Sequence, residues 1–80
     1  MAFTVYVLYT DVYDKHYTGY SSNLPERIRL HNDLGNDWTK NYRPWRLIYT
    51  RIFEEKTAAL QYEKWLKTGI GRRFIQTLPH

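Results

Sequence analysis

Cysteine is absent from the sequence, so disulfide bonds and thiolate ligands are excluded, and any bound metal must be held by oxygen or imidazole groups. No stretch reaches the roughly 20 apolar residues that a membrane-spanning helix requires. Residues 2–5 carry no charge and lead into no long apolar run, unlike a secretory signal. We therefore expect a soluble, cytoplasmic protein that does not associate with membranes.

The chain is also short, because its 80 residues leave no room for two independent hydrophobic cores. Hydrophobic residues make up 42% of it and aromatic residues 18%, which is enough to build one compact core. We predict a single domain that spans residues 1–80.

The net charge of +4 is distributed unevenly along the chain. Residues 1–39 carry three basic and five acidic side chains, whereas residues 40–80 carry nine basic and three acidic ones. A basic half favours a polyanionic partner such as nucleic acid, because each Lys or Arg that neutralises a phosphate releases a counterion. A basic face that is simply solvated explains the charge equally well.

The N-terminal third of the chain predicts a β-hairpin. Residues 3–10 are β-branched and aromatic throughout, which is typical of a strand buried on both sides. Residues 11–14 supply turn-forming side chains, and residues 16–20 then form the second strand.

The length of this turn predicts the register of the hairpin. A four-residue loop pairs Leu8 with Tyr17 and Tyr6 with Gly19. Tyr6 and Tyr17 then lie on the same face as diagonal neighbours. Because Gly19 has no side chain, we expect open space over the Tyr6 ring.

A helix is predicted to follow the hairpin. Asn23 is expected to cap it, Pro25 suits the first turn, and Glu26 is expected to complete a capping box. The helix should run to about His31 or Asn32.

The second half of the chain begins with a predicted strand over residues 45–53, with Ile48 and Ile52 on one side. Both faces of this strand are largely apolar, so we expect it to be central in the sheet and covered by helices.

Two helices are predicted after this strand. Thr57 is expected to cap the first, over residues 58–67, and the second is short and begins near residue 70, where Phe74 docks it on the body. The predicted fold class is therefore α+β, with a three-stranded sheet, the order β-β-α-β-α-α, and helices packed on the sheet.

The spacing of a few polar and aromatic residues carries a more specific signal. Tyr6 and Tyr17 are separated by ten residues, Gly19 follows two positions later, and Arg27 lies eight positions beyond it. This order and spacing resembles the GIY-YIG nuclease superfamily. The similarity continues through residues 43–49 and through residues 58–67, which resemble the helix that carries the acidic residue of the family.

Three residues depart from the pattern of the family. Thr4 and Thr18 stand where the family often has glycine and isoleucine or valine, respectively. Tyr20 stands where some members, including the incision protein of bacterial excision repair, have lysine. Both tyrosines of the motif and Gly19 are kept.

The resemblance implies a five-residue active site: Tyr6, Tyr17, Arg27 and His31 as catalytic residues, and Glu63 as the ligand of one Mg²⁺ or Mn²⁺ ion. Such an ion often binds through few carboxylates together with substrate phosphate, so one carboxylate is sufficient. Arginine suits two-point binding of a phosphate. In the family a tyrosine is commonly proposed as the general base, and Tyr6 is the first choice here.

Each of these residues also has a purely structural interpretation. The two tyrosines could pack on the sheet, Arg27 could be solvated, and His31 could be a partly buried histidine with a satisfied partner. Glu63 lies four residues before Lys67, in the orientation of an ordinary surface ion pair.

A further group of aromatic and basic side chains could contact the nucleic-acid backbone by charge and stacking, although a solvated surface explains them equally well: Trp38, Lys40, Arg43, Arg72 and Arg73.

The resemblance implies a divalent-metal-dependent endonuclease that hydrolyses phosphodiester bonds of DNA, in repair or recombination, with RNA not excluded as a substrate. One alternative is a catalytically inactive nucleic-acid-binding module with the same fold. Another is a protein-interaction domain that uses exposed aromatic side chains. Metal-dependent cleavage separates the first from the other two.

Overall fold

The computed structural model describes residues 2–30, 32 and 41–80. It contains three strands and three helices in the predicted β-β-α-β-α-α order: β1 (Phe3–Thr10), β2 (Lys15–Ser21), α1 (Leu24–Arg29), β3 (Arg46–Phe53), α2 (Lys56–Leu66) and α3 (Gly69–Gln76). The strands form one antiparallel sheet, which confirms the predicted α+β class. No helix in the described ranges is long and apolar enough to cross a membrane.

The hairpin of β1 and β2 has the predicted register. Leu8 pairs with Tyr17, and Tyr6 pairs with Gly19. Asp14 closes the turn with a φ of 52°, a left-handed conformation that aspartate tolerates better than most side chains, and its backbone N–H donates to the carbonyl of Thr10 at 2.9 Å. The chemistry of the turn therefore sets which side chains of the two strands share a face.

The prediction that the third strand is central was wrong. The strand order is β2-β1-β3, so β1 lies in the middle and β3 lies at an edge. The buried run from Val5 to Leu8 fills the centre of the sheet, whereas most of β3 is exposed or half-buried. Although β3 has apolar side chains on both faces, helices do not cover both of its faces.

The predicted alternation along β3 fails at a β-bulge. Val7 pairs with Tyr49 while the next residue, Leu8, pairs with Leu47, so Ile48 is an extra residue in β3. Ile48 and Tyr49 consequently both pack on the cluster that contains Val7, whereas Ile52 is exposed. Ile48 and Ile52 do not share a side as the two-residue period had predicted.

The two faces of the sheet carry different helices. On one face, Val5 and Val7 pack against Ala59 and Leu66 of α2 and Ile75 of α3. The other face carries a second cluster, formed by Tyr6, Leu8 and Trp45 with the flanking side chains Tyr17, Leu24, Ile28 and Tyr42. We call the second face the tyrosine face, and α1 is the helix that covers it.

The start of α1 is only partly as predicted. The Asn23 side chain caps α1 by accepting from the backbone N–H of Glu26. The capping box is not completed, because the Glu26 carboxylate binds Arg29 at 2.6 Å and the Asn23 backbone N–H donates to Ser21 instead. The regular α-helix ends at Arg29, but Leu30 and Asn32 are π-helical, so the helical segment reaches the predicted end near residue 32.

The predicted cap of α2 was wrong. Helix α2 begins at Lys56 with Glu55 at the N-cap position, so Thr57 lies inside the first turn. Thr68 caps α3 by accepting from the backbone N–H of Gly71 at 3.2 Å. The short third helix is therefore confirmed, and its Phe74 packs edge-on against Tyr49 of β3.

Candidate active site

The paired tyrosines of the hairpin form the centre of the candidate site. The ring centroids of Tyr6 and Tyr17 lie 6.3 Å apart with the planes tilted by 35°. Tyr6 is 1% exposed and Tyr17 is half-buried, so Tyr17 is the member of the pair with access to solvent. The shared face that the register predicted is confirmed.

The space above Gly19 is occupied by the side chain of Tyr6. A Cβ atom at this position would lie 2.7 Å from the Tyr6 hydroxyl oxygen, 2.9 Å from Tyr6 Cζ and 3.3 Å from Tyr17 Cε2. The prediction of open space over the Tyr6 ring was therefore wrong, because the end of this ring lies directly against Gly19. The glycine allows the Tyr6 ring to lie flat across β2.

Replacement of Gly19 by alanine is expected to displace the Tyr6 ring, because a Cβ atom cannot lie less than 3.0 Å from the ring atoms without a shift of the ring. We expect a loss of stability of about 1–3 kcal/mol, as for other over-packed sites, together with reduced catalytic activity. Thermal unfolding measures the first effect. Gly69→Ala is the matched control, since a Cβ there meets nothing within 4 Å. Equal stability of the two variants would contradict this account.

Two residues that the sequence analysis did not single out build the wall of the site. Trp45 is buried, with its ring centroid 6.4 Å from that of Tyr17. Asn32 holds the Trp45 backbone at both ends: its side chain accepts from the Trp45 N–H at 2.6 Å and donates to the Trp45 carbonyl at 3.0 Å. No spacing in the sequence links these residues, because 13 positions separate them.

Arg27 is carried by the helix that covers the tyrosine face. The apolar side chains Leu24 and Ile28 of α1 pack on the Tyr6 and Trp45 cluster, and α1 contacts β2. Arg27 lies next to Ile28 and is exposed. The guanidinium is therefore available at the rim of the site. His31, another predicted catalytic residue, lies outside the described residues.

Glu63 is carried by α2, on the opposite side of the sheet from the tyrosine face. Its side chain is 15% exposed, and its Oε2 lies 3.6 Å from Lys67 Nζ. The carboxylate borders the buried face of α2, since Ala59 and Leu66 are buried beside it. The ordinary ion pair with Lys67 is also present.

The orientation of α2 turns Glu63 toward the edge of the sheet where Tyr17 lies. On one flank of the buried stripe, the Tyr62 hydroxyl lies 2.8 Å from the Tyr49 hydroxyl of β3. Successive helical residues are rotated by about 100°, so Glu63 faces the other way, toward β2. Lys67, one turn later, lines a cavity with Tyr17 of β2. Tyr17 and Glu63 thus approach the same edge from opposite faces.

The chemistry of Glu63 fits a hydrated divalent cation. In the described part of the chain, no three His, Asp or Glu side chains are grouped so that they could enclose a metal ion. Mg²⁺ keeps several water ligands and often uses one or two carboxylates, so a single sheltered carboxylate suits it. Its present partner, Lys67, lies beyond hydrogen-bond distance.

A second tyrosine pair serves as a comparison. Burial, together with the hydrogen bond to Tyr62, raises the pKa of Tyr49 to about 12. The Tyr49 phenol therefore stays protonated near neutral pH. This pair packs with Phe74 and Phe53, and it holds α2 and α3 on β3. It is structural, although its residue types match those of the candidate site.

The basic residues predicted to contact nucleic acid lie in separate places. Arg43 is exposed, and its guanidinium donates to the backbone carbonyl of Asn32 at 3.0 Å. Arg72 and Arg73 are both exposed on α3. Trp38 and Lys40 lie outside the described residues. Among the described residues, Arg43 near Asn32 is therefore separate from Arg72 and Arg73 on α3.

The fold and the site together define a class of protein. It is a small α+β domain in which a β-hairpin presents two tyrosines, flanked by one helix that carries an arginine and another that carries a glutamate. The family model of the GIY-YIG catalytic domain matches residues 2–73. The chain belongs to the GIY-YIG family, as its sequence motifs predicted. Membership of this family indicates nuclease-type activity.

Similar proteins support the same assignment. The chain is 42% identical over 53 residues to a UPF0213 protein of Staphylococcus saprophyticus, a match that covers 65% of each chain. It is 38% identical over 63 residues to a UPF0213 protein of Clostridium perfringens, covering 78% of this chain and 68% of that one. The chain thus spans about two thirds of the length of these relatives.

A solved structure has the same fold. The solution NMR structure of a UPF0213 protein from Bacillus halodurans superposes with a TM-score of 0.59 at 28% sequence identity. The superposition covers 96% of this chain and 84% of that one. The fold agrees over nearly the whole chain.

Proposed function

We propose that this chain is a divalent-metal-dependent endonuclease that hydrolyses phosphodiester bonds of DNA, with a role in DNA repair or recombination. The observation that carries the proposal is the tyrosine pair held over Gly19 in a chain of the GIY-YIG family.

The proposed roles follow from the position and chemistry of each residue. Arg27, exposed at the rim, binds the phosphate through two parallel hydrogen bonds, as guanidinium groups do. Glu63 holds one Mg²⁺ or Mn²⁺ ion, which when bound relieves negative charge on the phosphate oxygens. His31 remains a proposed catalytic residue on the basis of the family motif.

One of the two tyrosines acts as the general base or positions the attacking water. A phenol has an ordinary pKa of about 10, so a nearby cation must favour its ionised form near neutral pH. Tyr17 is the more exposed of the two, which favours it as the general base in place of Tyr6, the first choice from the sequence. Tyr6 is then the buried partner that orients it.

The test is a cleavage assay at low salt with labelled duplex, branched and single-stranded DNA and with RNA. We expect cleavage of at least one DNA substrate with Mg²⁺ or Mn²⁺ and none with EDTA. The rival function is nucleic-acid binding without catalysis, which the Glu63–Lys67 ion pair favours because it gives Glu63 a structural role. Tight binding with no cleavage under any metal condition would establish the rival.

A further inference from the structure

A groove runs along the side of the sheet opposite the tyrosine face, between β2 and the helices α2 and α3. It consists of two cavities of about 420 and 300 Å³. Both cavities are lined by His16, Arg72 and Ile75, so they lie side by side. We call this feature the β2–α3 groove. Among the proposed catalytic residues that the structure describes, only Tyr17 lines it.

The charged side chains of the β2–α3 groove suit a phosphate. Lys67 and Arg72 line the smaller cavity, over an apolar floor formed by Leu66 and Ile75. In the described part of the chain, no ion pair or side-chain hydrogen bond engages the Arg72 guanidinium. An unengaged guanidinium beside an ammonium group is the donor set that binds phosphate oxygens.

The acidic group of the groove is at its other end. Asp14 lines only the larger cavity, and its carboxylate accepts from the Tyr9 hydroxyl at 2.8 Å. The cavity that holds Lys67 contains no carboxylate among its lining residues. An anion is therefore favoured at the end of the groove near α2.

Lys67 connects this end of the groove to the candidate metal ligand. Its Nζ lies 3.6 Å from Glu63 Oε2, and its side chain also lines the groove together with Tyr17. A strand bound at the Glu63 edge can therefore continue into the groove without crossing the sheet. Each cavity has a volume within the range of small-molecule sites, which is too small for a duplex.

We infer that the β2–α3 groove binds the phosphates of one nucleic-acid strand as it leaves the cleavage site, with Arg72 and Lys67 as the phosphate ligands. This inference rests on the proposed function, because it assigns a path to the substrate of that site. The groove adds affinity and sets the direction of the strand, and it takes no part in the chemistry.

The experiment measures binding of a fluorescently labelled single-stranded DNA oligonucleotide by anisotropy, in EDTA so that no cleavage occurs, across a series of salt concentrations. Arg72→Gln is expected to weaken binding about fivefold at low salt and to lower the slope of log K against log salt by about 0.7, the value for one phosphate contact on a single strand. Arg72→Lys, which keeps the charge, is expected to retain the slope.

Lys64→Gln is the matched control, because it removes one exposed positive charge from α2 at a position that does not line the groove. Equal effects of Arg72→Gln and Lys64→Gln on affinity and slope would overturn the inference, and so would the absence of any binding by the wild type. Circular dichroism confirms that each variant is folded.

The outcomes separate this inference from the proposed function. If the wild type cleaves DNA with metal but Arg72→Gln binds like the control, the groove assignment fails and the nuclease assignment stands. If Arg72→Gln loses affinity and slope while the wild type never cleaves, the groove assignment stands and the nuclease assignment fails. Backbone amide shifts of Thr18 and Ile75 upon titration with the oligonucleotide locate the bound strand independently.

Discussion

Tyr17→Phe is expected to lower the rate of metal-dependent DNA cleavage by about 100-fold or more, because general acid–base groups commonly contribute 10²–10⁴-fold. The substitution removes only the hydroxyl, so the ring keeps its contacts with Tyr6 and Trp45. Single-turnover rates with Mn²⁺ measure the effect on catalysis, and circular dichroism checks that the variant is folded.

Tyr6→Phe distinguishes the roles of the two tyrosines. If Tyr17 is the base and Tyr6 orients it, Tyr6→Phe lowers the rate but leaves the pH dependence that is due to Tyr17. Tyr13→Phe is the control, since Tyr13 is exposed in the turn between β1 and β2. A Tyr17→Phe variant that cleaves as fast as Tyr13→Phe would remove Tyr17 from the mechanism.

Gly71→Ala is expected to cause the largest loss of stability among alanine substitutions at the three glycines that the structure describes. A Cβ at this position would lie 2.1 Å from the Trp65 carbonyl oxygen and 2.4 Å from Leu66 Cα. Both are backbone atoms, which cannot move aside by changing a rotamer. The junction between α2 and α3 must therefore separate, which weakens the packing of the buried Leu66 and Ile75.

The expected cost of Gly71→Ala is about 3 kcal/mol or more, at the upper end of over-packing. In a domain of this size, that cost corresponds to a decrease of at least about 12 °C in the midpoint of thermal unfolding. Gly69→Ala, at the start of the same helix, should leave the midpoint nearly unchanged because its Cβ meets nothing. A midpoint for Gly71→Ala equal to that of Gly69→Ala would contradict the close packing of this junction.

Local rules were sufficient for the hairpin and for the core of the sheet. The four-residue turn determined the register, and the register placed Tyr6 opposite Gly19 and on the same face as Tyr17. The period of α2 likewise placed Glu63 beside the buried Ala59 and Leu66. These features depend on neighbours in sequence, which is why the pattern of residues predicts them.

Features that depend on distant pairing were not predictable from the same patterns. The apolar residues on both faces of β3 do not reveal that this strand lies at an edge of the sheet. Its position depends on the strand order β2-β1-β3, in which β1 pairs with both other strands. The extra residue Ile48 reverses the alternation of β3 without any glycine to mark the bulge. The link from Asn32 to Trp45 depends on where the chain returns to the sheet.

The candidate site likewise has one part that the sequence predicts and another part that it does not. Spacing along one hairpin was enough to bring Tyr6 and Tyr17 together, as their ring distance of 6.3 Å shows. The position of Glu63 relative to Tyr17 depends on how α2 packs across the sheet. The groove lined by Arg72 of α3 likewise forms only through the packing of the helices on the sheet, so the sequence alone does not reveal it.

Cleavage of one labelled DNA substrate by wild type and by Glu63→Gln, purified identically and assayed with Mn²⁺ and with EDTA, is the most direct test of the central claim. Glu54→Gln is the matched control, because it makes the same change at an exposed carboxylate just before α2. The account predicts Mn²⁺-dependent cleavage by wild type and Glu54→Gln, and a loss of about 100-fold or more in a folded Glu63→Gln variant. Equal activity of Glu63→Gln and wild type would contradict it.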